Sequence, residues 1–178
     1  EPHACYATYD PVNDQYTLIP SSSSTWNNQC WLAQVFETEE SRFHVIRPYV
    51  GGAFGGKSNC APQYFCACLM ARRTGHPVRF VLTREEEFFN QHGRHPFKMH
   101  IETAFDKDGT ILAKKARYIL DGGAYGKGMV APVKLSALWS AFPYKIDCID
   151  FETRRVFTNK AINGAMRGYT ACQVQFAN

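Results

Sequence analysis

The sequence has no apolar run approaching the roughly 20 residues that a membrane span needs, and its N-terminus carries neither the basic nor the apolar region of a signal peptide. Blocks of like charge are also missing. The 20 Lys plus Arg exceed the 16 Asp plus Glu by four, and that excess is scattered along the chain, so neither nucleic acid nor a membrane surface is expected as a partner. No CxxC pair occurs among the seven Cys. Their odd number and irregular spacing argue against a disulfide framework or a four-thiolate zinc or iron–sulfur site. Reduced thiols in a cytoplasmic protein fit better, with Cys60, Cys66 and Cys68 read as packing residues. No repeat is evident, and the Ser run at 21–24 is too short for a linker.

What is present is a chain of 178 residues, 45% hydrophobic and 14% aromatic, long enough to bury a sizeable core as one domain or two small lobes. It opens at Glu1 without Met and stops at Asn178 in mid-pattern, which leads us to expect a single segment of a longer polypeptide, 1–178 forming part of one domain.

Residues 4–9 and 15–19 read as short strands joined by the turn-forming Asp10-Pro11-Val12-Asn13-Asp14. Thr25 can cap a helix running to about Val35, with Trp31 and Val35 on one face, and Phe43, Val45 and Tyr49 suggest the next strand. Ala61, Phe65 and Leu69, with Cys66 and Met70 alongside, predict the buried face of an amphipathic helix. Pro62 suits its first turn, Arg72 and Arg73 its last, and Gly75 its C-terminal cap. Val78, Phe80 and Leu82 alternate as a strand, and Thr83 with Glu86 spells a capping box opening a short helix with Phe88 and Phe89. Alternating apolar residues at 97–105, the turn Asp106-Lys107-Asp108-Gly109, and Leu112, Ala116, Tyr118 and Leu120 predict a long antiparallel hairpin. A glycine-rich stretch at 122–128, a helix near 133–139, a strand near 148–157 and a C-terminal loop at 164–173 complete an α+β chain of antiparallel hairpins with packed helices.

The string Gly51-Gly52-Ala53-Phe54-Gly55-Gly56-Lys57-Ser58 satisfies GxxxxGK[ST] between a predicted strand and a predicted helix. As the phosphate loop of a P-loop NTPase, its amides would cradle phosphates, Lys57 would reach the terminal phosphates, Ser58 would hold magnesium and Asp121 would be the second metal-side carboxylate. Against this, the preceding segment 42–50 carries two Arg, a His and a Pro where a central parallel strand should be continuously apolar. The later strands also look hairpin-connected, so a βαβ sheet is not expected. A non-catalytic interaction module is a third reading.

The same loop resembles the GGGFGGK motif of the xanthine dehydrogenase/aldehyde oxidase family of molybdenum hydroxylases, in their large, molybdopterin-binding subunit. Glu1-Pro2-His3 is similar to that family's Glu-x-His segment, Gly93-Arg94-His95-Pro96-Phe97 to its GRHP strand start, Asp121-Gly122-Gly123-Ala124-Tyr125 to its DGGAY-like turn, and Ala165-Met166-Arg167-Gly168-Tyr169 to its FRGFG or MRGYG loop. These motifs follow one another in the family's order across essentially the whole chain.

The resemblance implies a fragment of a molybdopterin-binding domain, with a glycine loop at 51–57 and a C-terminal cofactor loop at 164–173. It implies a cofactor, in its plain or cytosine dinucleotide form, whose molybdenum takes no ligand from the protein, so that backbone must do the holding. Gly52, Ala53, Phe54, Gly55 and Gly56 would then lie beside the cofactor, with Phe54 excluding water and Arg167 and Gly168 approaching from another side. Arg94 and His95 would order the core and do no chemistry. Such enzymes hydroxylate an electron-poor carbon with oxygen from water, started by a Glu base in a downstream GxGE motif that is absent here. The fragment alone is therefore expected to be inactive, with iron–sulfur clusters and FAD on other domains or subunits and a small molecule as substrate. Ser58 stands where xanthine-oxidising members place Glu, and Leu135 where they use a purine-binding Arg, while Tyr169 corresponds to an aromatic that stacks on substrate. An aldehyde or aromatic heterocycle is expected, and xanthine is disfavoured.

Overall fold

A computed structural model describes residues 1–125 and 130–178 and divides the chain into two compact units, Glu1–Gln91 and His92–Asn178. The glycine-rich stretch expected at 122–128 lies partly outside the described residues. Among those described, no helix is long and apolar enough to cross a membrane.

In the first unit, β1 (Ala4–Asp10) and β2 (Gln15–Pro20) form the expected hairpin. Asp10 Oδ1 accepts the Val12 amide at 2.9 Å and closes the turn. Helix α1 (Thr25–Val35) follows, then a single 3-10 turn and β3 (Phe43–Val45), parallel to β2. Thr25 is the first helical residue rather than the cap, a position held by Ser24 with no side-chain bond. Asn28, Leu32 and Ala33 are buried, and Val35 is exposed. The strand stops at Val45, so Tyr49 is solvent-exposed.

Helix α2 (Pro62–Thr74) has Pro at its first turn, Arg72 and Arg73 in its last, and Gly75 left-handed at its C-cap (φ 67°). Its buried stripe is Tyr64, Ala67, Cys68 and Ala71, whereas Leu69, Met70 and Cys66 are exposed and Phe65 half-buried. Small side chains explain the choice. Ala67, Cys68 and Ala71 join Cys5 and Ala7 of β1 in one core, and only small residues on both elements let helix and sheet approach so closely. Tyr64, fully buried, is the large side chain that α2 contributes to this core, while Leu69 and Met70 face outward. Tyr9, Tyr16, Phe36 and Phe43 fill the wider part of the core, with Tyr16 stacked on Phe43 at 4.7 Å. Strand β4 (Val78–Val81) completes the sheet order β3-β2-β1-β4. Helix α3 (Arg84–Asn90) opens on the expected capping box, Glu86 N–H donating to Thr83 Oγ1 at 3.2 Å. It buries Glu87 and leaves Phe88 and Phe89 exposed.

The second unit begins with β5 (Gly93–Arg94) and the hairpin of β6 (Phe97–Phe105) and β7 (Ile111–Asp121). Helix α4 (Ala131–Ala141) then leads to β8 (Cys148–Val156), which pairs with β7 in parallel. Both parallel pairs, β2 with β3 and β7 with β8, are thus bridged by a helix, correcting the expectation that helix-bridged parallel strands are missing. Short β9 (Asn163–Gly164) pairs with β5 in parallel, and α5 (Ala171–Ala177) occupies the end of what the sequence reads as loop. Ala116, Tyr118, Leu120 and Val174 form the buried centre, with Phe97, Met99, Ile101, Trp139 and Phe151 around it. Leu112, of the same strand parity, is exposed, and Lys114 is buried in its place. The Lys114 ammonium donates to Ser140 O at 3.0 Å and Asn178 Oδ1 at 2.5 Å, at the C-terminal ends of α4 and α5 where a cation offsets both helix dipoles.

Candidate functional site

The first unit presents the glycine loop. Gly51 (φ 71°), Phe54 (φ 50°) and Gly55 (φ 97°) are left-handed, and successive residues of that kind curl the backbone into a concave turn. Gly52 has no room for a side chain, since a Cβ there would lie 2.1 Å from the Phe54 ring. The loop is fastened through its carbonyls. His3 Nε2 lies 3.1 Å from Gly56 O, and Lys57 O accepts from Ser23 N at 2.9 Å, Ser23 Oγ at 3.1 Å and Ser22 Oγ at 3.2 Å. His3 is itself held by Glu87, whose carboxylate accepts from His3 Nδ1 at 2.9 Å and from the His3 amide. Both ring nitrogens of His3 therefore face oxygen atoms. The Glu-x-His segment and the glycine loop, some fifty residues apart, are one assembly.

The P-loop reading is not supported. Its Lys-Ser pair should open the following helix, but α2 does not begin until Pro62, and β3 is a three-residue edge strand. Lys57 is buried, its ammonium 4.0 Å from Glu1, and Asp121 belongs to the other unit.

The remaining three motifs meet within the second unit. His95 Nδ1 donates to Asp121 O at 2.8 Å, and Asn163 Nδ2 donates to the same oxygen at 3.2 Å. Because a carbonyl only accepts, the proton of His95 sits on Nδ1, and burial holds its pKa below the usual histidine value, favouring the neutral ring. Arg94 Nη2 donates to Arg167 O at 2.5 Å, and His92 Nε2 to Ala165 O at 2.8 Å. Asp121 ties the turn down: Oδ1 accepts from Thr158 Oγ1 at 2.6 Å and from Gly123 N at 2.9 Å, while Lys160 Nζ lies 3.2 Å from Oδ2.

Among the residues singled out by sequence, Gly52, Phe54 and Arg167 are exposed, Phe54 at 60%, and Gly168 (φ 74°) is exposed as well. Ala53, Gly55, Gly56 and Ser58 are half-buried on the same loop, and Leu135 is half-buried on α4. A Cβ on Gly168 would lie 2.4 Å from Cys172 Sγ. Tyr169 is half-buried with its ring 6.2 Å from that of His95, and burial pushes its phenol pKa up. The residues missed by sequence reasoning are the buttresses Glu87, His92, Gln173 and Thr158, while the role of His3 as a buttress goes unread. Only the resemblance draws attention to His3, and no local pattern links it to Glu87 at 84 positions' distance.

The Asp121 anchors give a pH prediction. The Thr158 hydroxyl, then the Gly123 amide, then Lys160 hold its carboxyl down to about 2, against about 3.9 for an unfolded aspartate. A depressed folded pKa contributes stability that is present above about pH 4 and lost as pH falls toward 2. Asp121→Asn is expected to flatten that part of the acid-unfolding curve; an unchanged acid slope would show that the anchors contribute nothing.

The glycine loop of the first unit and the 165–169 loop of the second each carry left-handed residues and are each held by side chains that grip their carbonyls. Among the described residues no group of three or more His, Cys, Asp or Glu could hold a metal ion, and Gly52 and Gly168 are exposed. Comparisons with known proteins identify the family. The molybdopterin cofactor-binding domain family matches residues 1–178. The chain is 33% identical over 162 residues to a probable xanthine dehydrogenase subunit of Bacillus subtilis (strain 168), covering 91% of this chain and 22% of that protein. It is 30% identical over 169 residues to the nicotinate dehydrogenase large molybdopterin subunit of Eubacterium barkeri, covering 95% of this chain and 39% of that one. Quinoline 2-oxidoreductase from Pseudomonas putida 86 superposes with a TM-score of 0.86 at 28% identity, over 96% of this chain and 22% of its own. The chain thus spans about a fifth to two fifths of these proteins' length, and it belongs to the molybdopterin cofactor-binding domain family, within the xanthine dehydrogenase/aldehyde oxidase group of molybdenum hydroxylases.

Proposed function

We propose that this chain supplies backbone walls for the molybdopterin of an enzyme that hydroxylates an aldehyde or aromatic heterocycle and disfavours xanthine. The observation that carries this reading is the pair of carbonyl-anchored loops, one at Gly56 and Lys57 and one at Ala165 and Arg167, each rich in left-handed backbone. Amides of Gly52, Ala53, Phe54, Gly55 and Gly56, and of Arg167 and Gly168, contact the cofactor. When bound, that group supplies the two-electron redox chemistry by which oxygen from water enters a C–H bond.

Ser58, Leu135 and Tyr169 shape the substrate side. None of the three carries a charge at neutral pH, so the polar edge of a purine finds no ionic partner among them, while a flat ring can stack on Tyr169. The relatives reported above are named for xanthine, nicotinate and quinoline, all nitrogen heteroaromatics, which supports that class, while the case against xanthine rests on Ser58 and Leu135. The proton-abstracting Glu lies outside this chain, which is inactive alone, and iron–sulfur and FAD domains or subunits carry electrons away.

The full-length protein is expected to contain molybdenum and pterin in about equal amounts. It should oxidise a nitrogen heteroaromatic or an aromatic aldehyde with kcat/KM at least tenfold above that for xanthine, the step that about 1.4 kcal/mol of lost transition-state binding produces. Purified protein without molybdenum and pterin, or with xanthine as its best substrate, would refute the reading.

A further inference from the structure

We propose that His92 and Arg94 are positioning residues that turn two main-chain amides of the 165–169 loop, those of Met166 and Gly168, outward to the bound cofactor. The inference rests on the cofactor reading above and deepens it. His92 directly precedes β5 and Arg94 ends it, two positions apart. Each reaches a carbonyl of the loop: His92 Nε2 lies 2.8 Å from Ala165 O and Arg94 Nη2 lies 2.5 Å from Arg167 O. Gly164 makes the reach feasible, because a Cβ on it would lie 2.7 Å from His92 Cδ2.

A trans peptide points its C=O and the following N–H in opposite directions. Holding Ala165 O against His92 therefore directs the Met166 N–H away from β5, and holding Arg167 O against Arg94 does the same for the Gly168 N–H. The left-handed Gly168 (φ 74°) and Thr170 (φ 63°) then return the chain into α5. The second arm of the guanidinium is fixed as well. Gln173 Oε1 accepts from Arg94 Nη1 at 3.4 Å while Gln173 Nε2 donates to His95 O at 3.1 Å, so strand, loop and helix close into one bracket. A guanidinium on the Arg167 carbonyl also polarises that peptide and strengthens the Gly168 N–H as a donor, because hydrogen bonds in series reinforce one another. Arg94 thus sets both the direction and the strength of a donor suited to an anionic group.

The test uses the full-length, cofactor-loaded enzyme with Arg94→Met, Arg94→Lys, His92→Leu and His92→Gln. Molybdenum and pterin content, Tm, kcat, KM and the Mo(V) electron paramagnetic resonance spectrum are measured for each. Arg94→Met and His92→Leu are expected to keep molybdenum within twofold of wild type, lower kcat about tenfold with KM moving far less, and shift the Mo(V) spectrum. Arg94→Lys and His92→Gln, which keep a donor, should recover most of kcat and the wild-type spectrum. An unchanged spectrum and kcat in Arg94→Met and His92→Leu overturns the proposal. So does a loss explained wholly by lower Tm and lower cofactor content, with the remaining loaded enzyme spectroscopically normal. Wild-type protein lacking molybdenum overturns the cofactor reading itself, and the positioning role falls with it.

Discussion

Replacing His3 with alanine is expected to destabilise the first unit by about 2–4 kcal/mol, because it removes the ring that faces a buried carboxylate and leaves that carboxylate only the backbone amide of residue 3. His3 and Glu87 are 4% and 8% exposed, and the Glu87 carboxylate takes both the His3 amide and the His3 ring. The substitution also frees Gly56 O from His3 Nε2, so the glycine loop loses a fastening in the same step. Glu87→Gln keeps a hydrogen-bonding oxygen in place and should cost less, about 1–3 kcal/mol. Urea unfolding with hydrogen exchange over residues 1–91 reads both effects. A change below about 1 kcal/mol in His3→Ala would mean the pair is not needed for stability.

Gly123→Ala should be the most damaging single methyl in the second unit. Gly123 is left-handed (φ 69°), and a Cβ there would lie 2.1 Å from Ala161 O and 2.8 Å from Ile162 Cα. Backbone cannot swing aside as a side chain can. Its neighbours are laced to the same strand-like segment, Ala124 N to Lys160 O at 3.0 Å and Thr158 N to Gly123 O at 3.3 Å. The expected loss is about 3 kcal/mol or more, the dihedral strain adding to the displaced backbone. Gly109→Ala is the control: φ is 81° but no atom lies within 4 Å of the added carbon, so only the strain of about 1–2 kcal/mol applies. Hydrogen exchange should show residues 121–125 and 158–169 opening together in Gly123→Ala and not in Gly109→Ala. Equal effects of the two substitutions would show that the close approach to Ala161 carries no weight.

Where a local rule suffices, the sequence was legible. The β1–β2 and β6–β7 hairpins, the capping box at Thr83 and Glu86, and the Pro62 and Gly75 ends of α2 all lie where turn and cap chemistry puts them. Faces were less legible. Apolarity alone favours Phe65 and Leu69 on α2, yet Tyr64, Ala67, Cys68 and Ala71 are inside, the last three meeting the small Cys5 and Ala7 of the opposing strand. Lys114 takes a core position that parity assigns to an apolar residue, since two helix ends bring it acceptor oxygens.

By itself the sequence determined most of the hairpins, caps and turns and, through its resemblance, the family, because motifs in a fixed order survive without any knowledge of distance. Tertiary structure alone decided which motifs are one assembly: His3 with Gly56 and Glu87 in one unit, and Arg94, His95, Asp121 and Arg167 in the other. The reason is that these bonds span tens of residues and, apart from His3 with Glu87, run from side chains to backbone carbonyls. A carbonyl belongs to every residue alike, so no letter of the sequence marks which of them will be gripped.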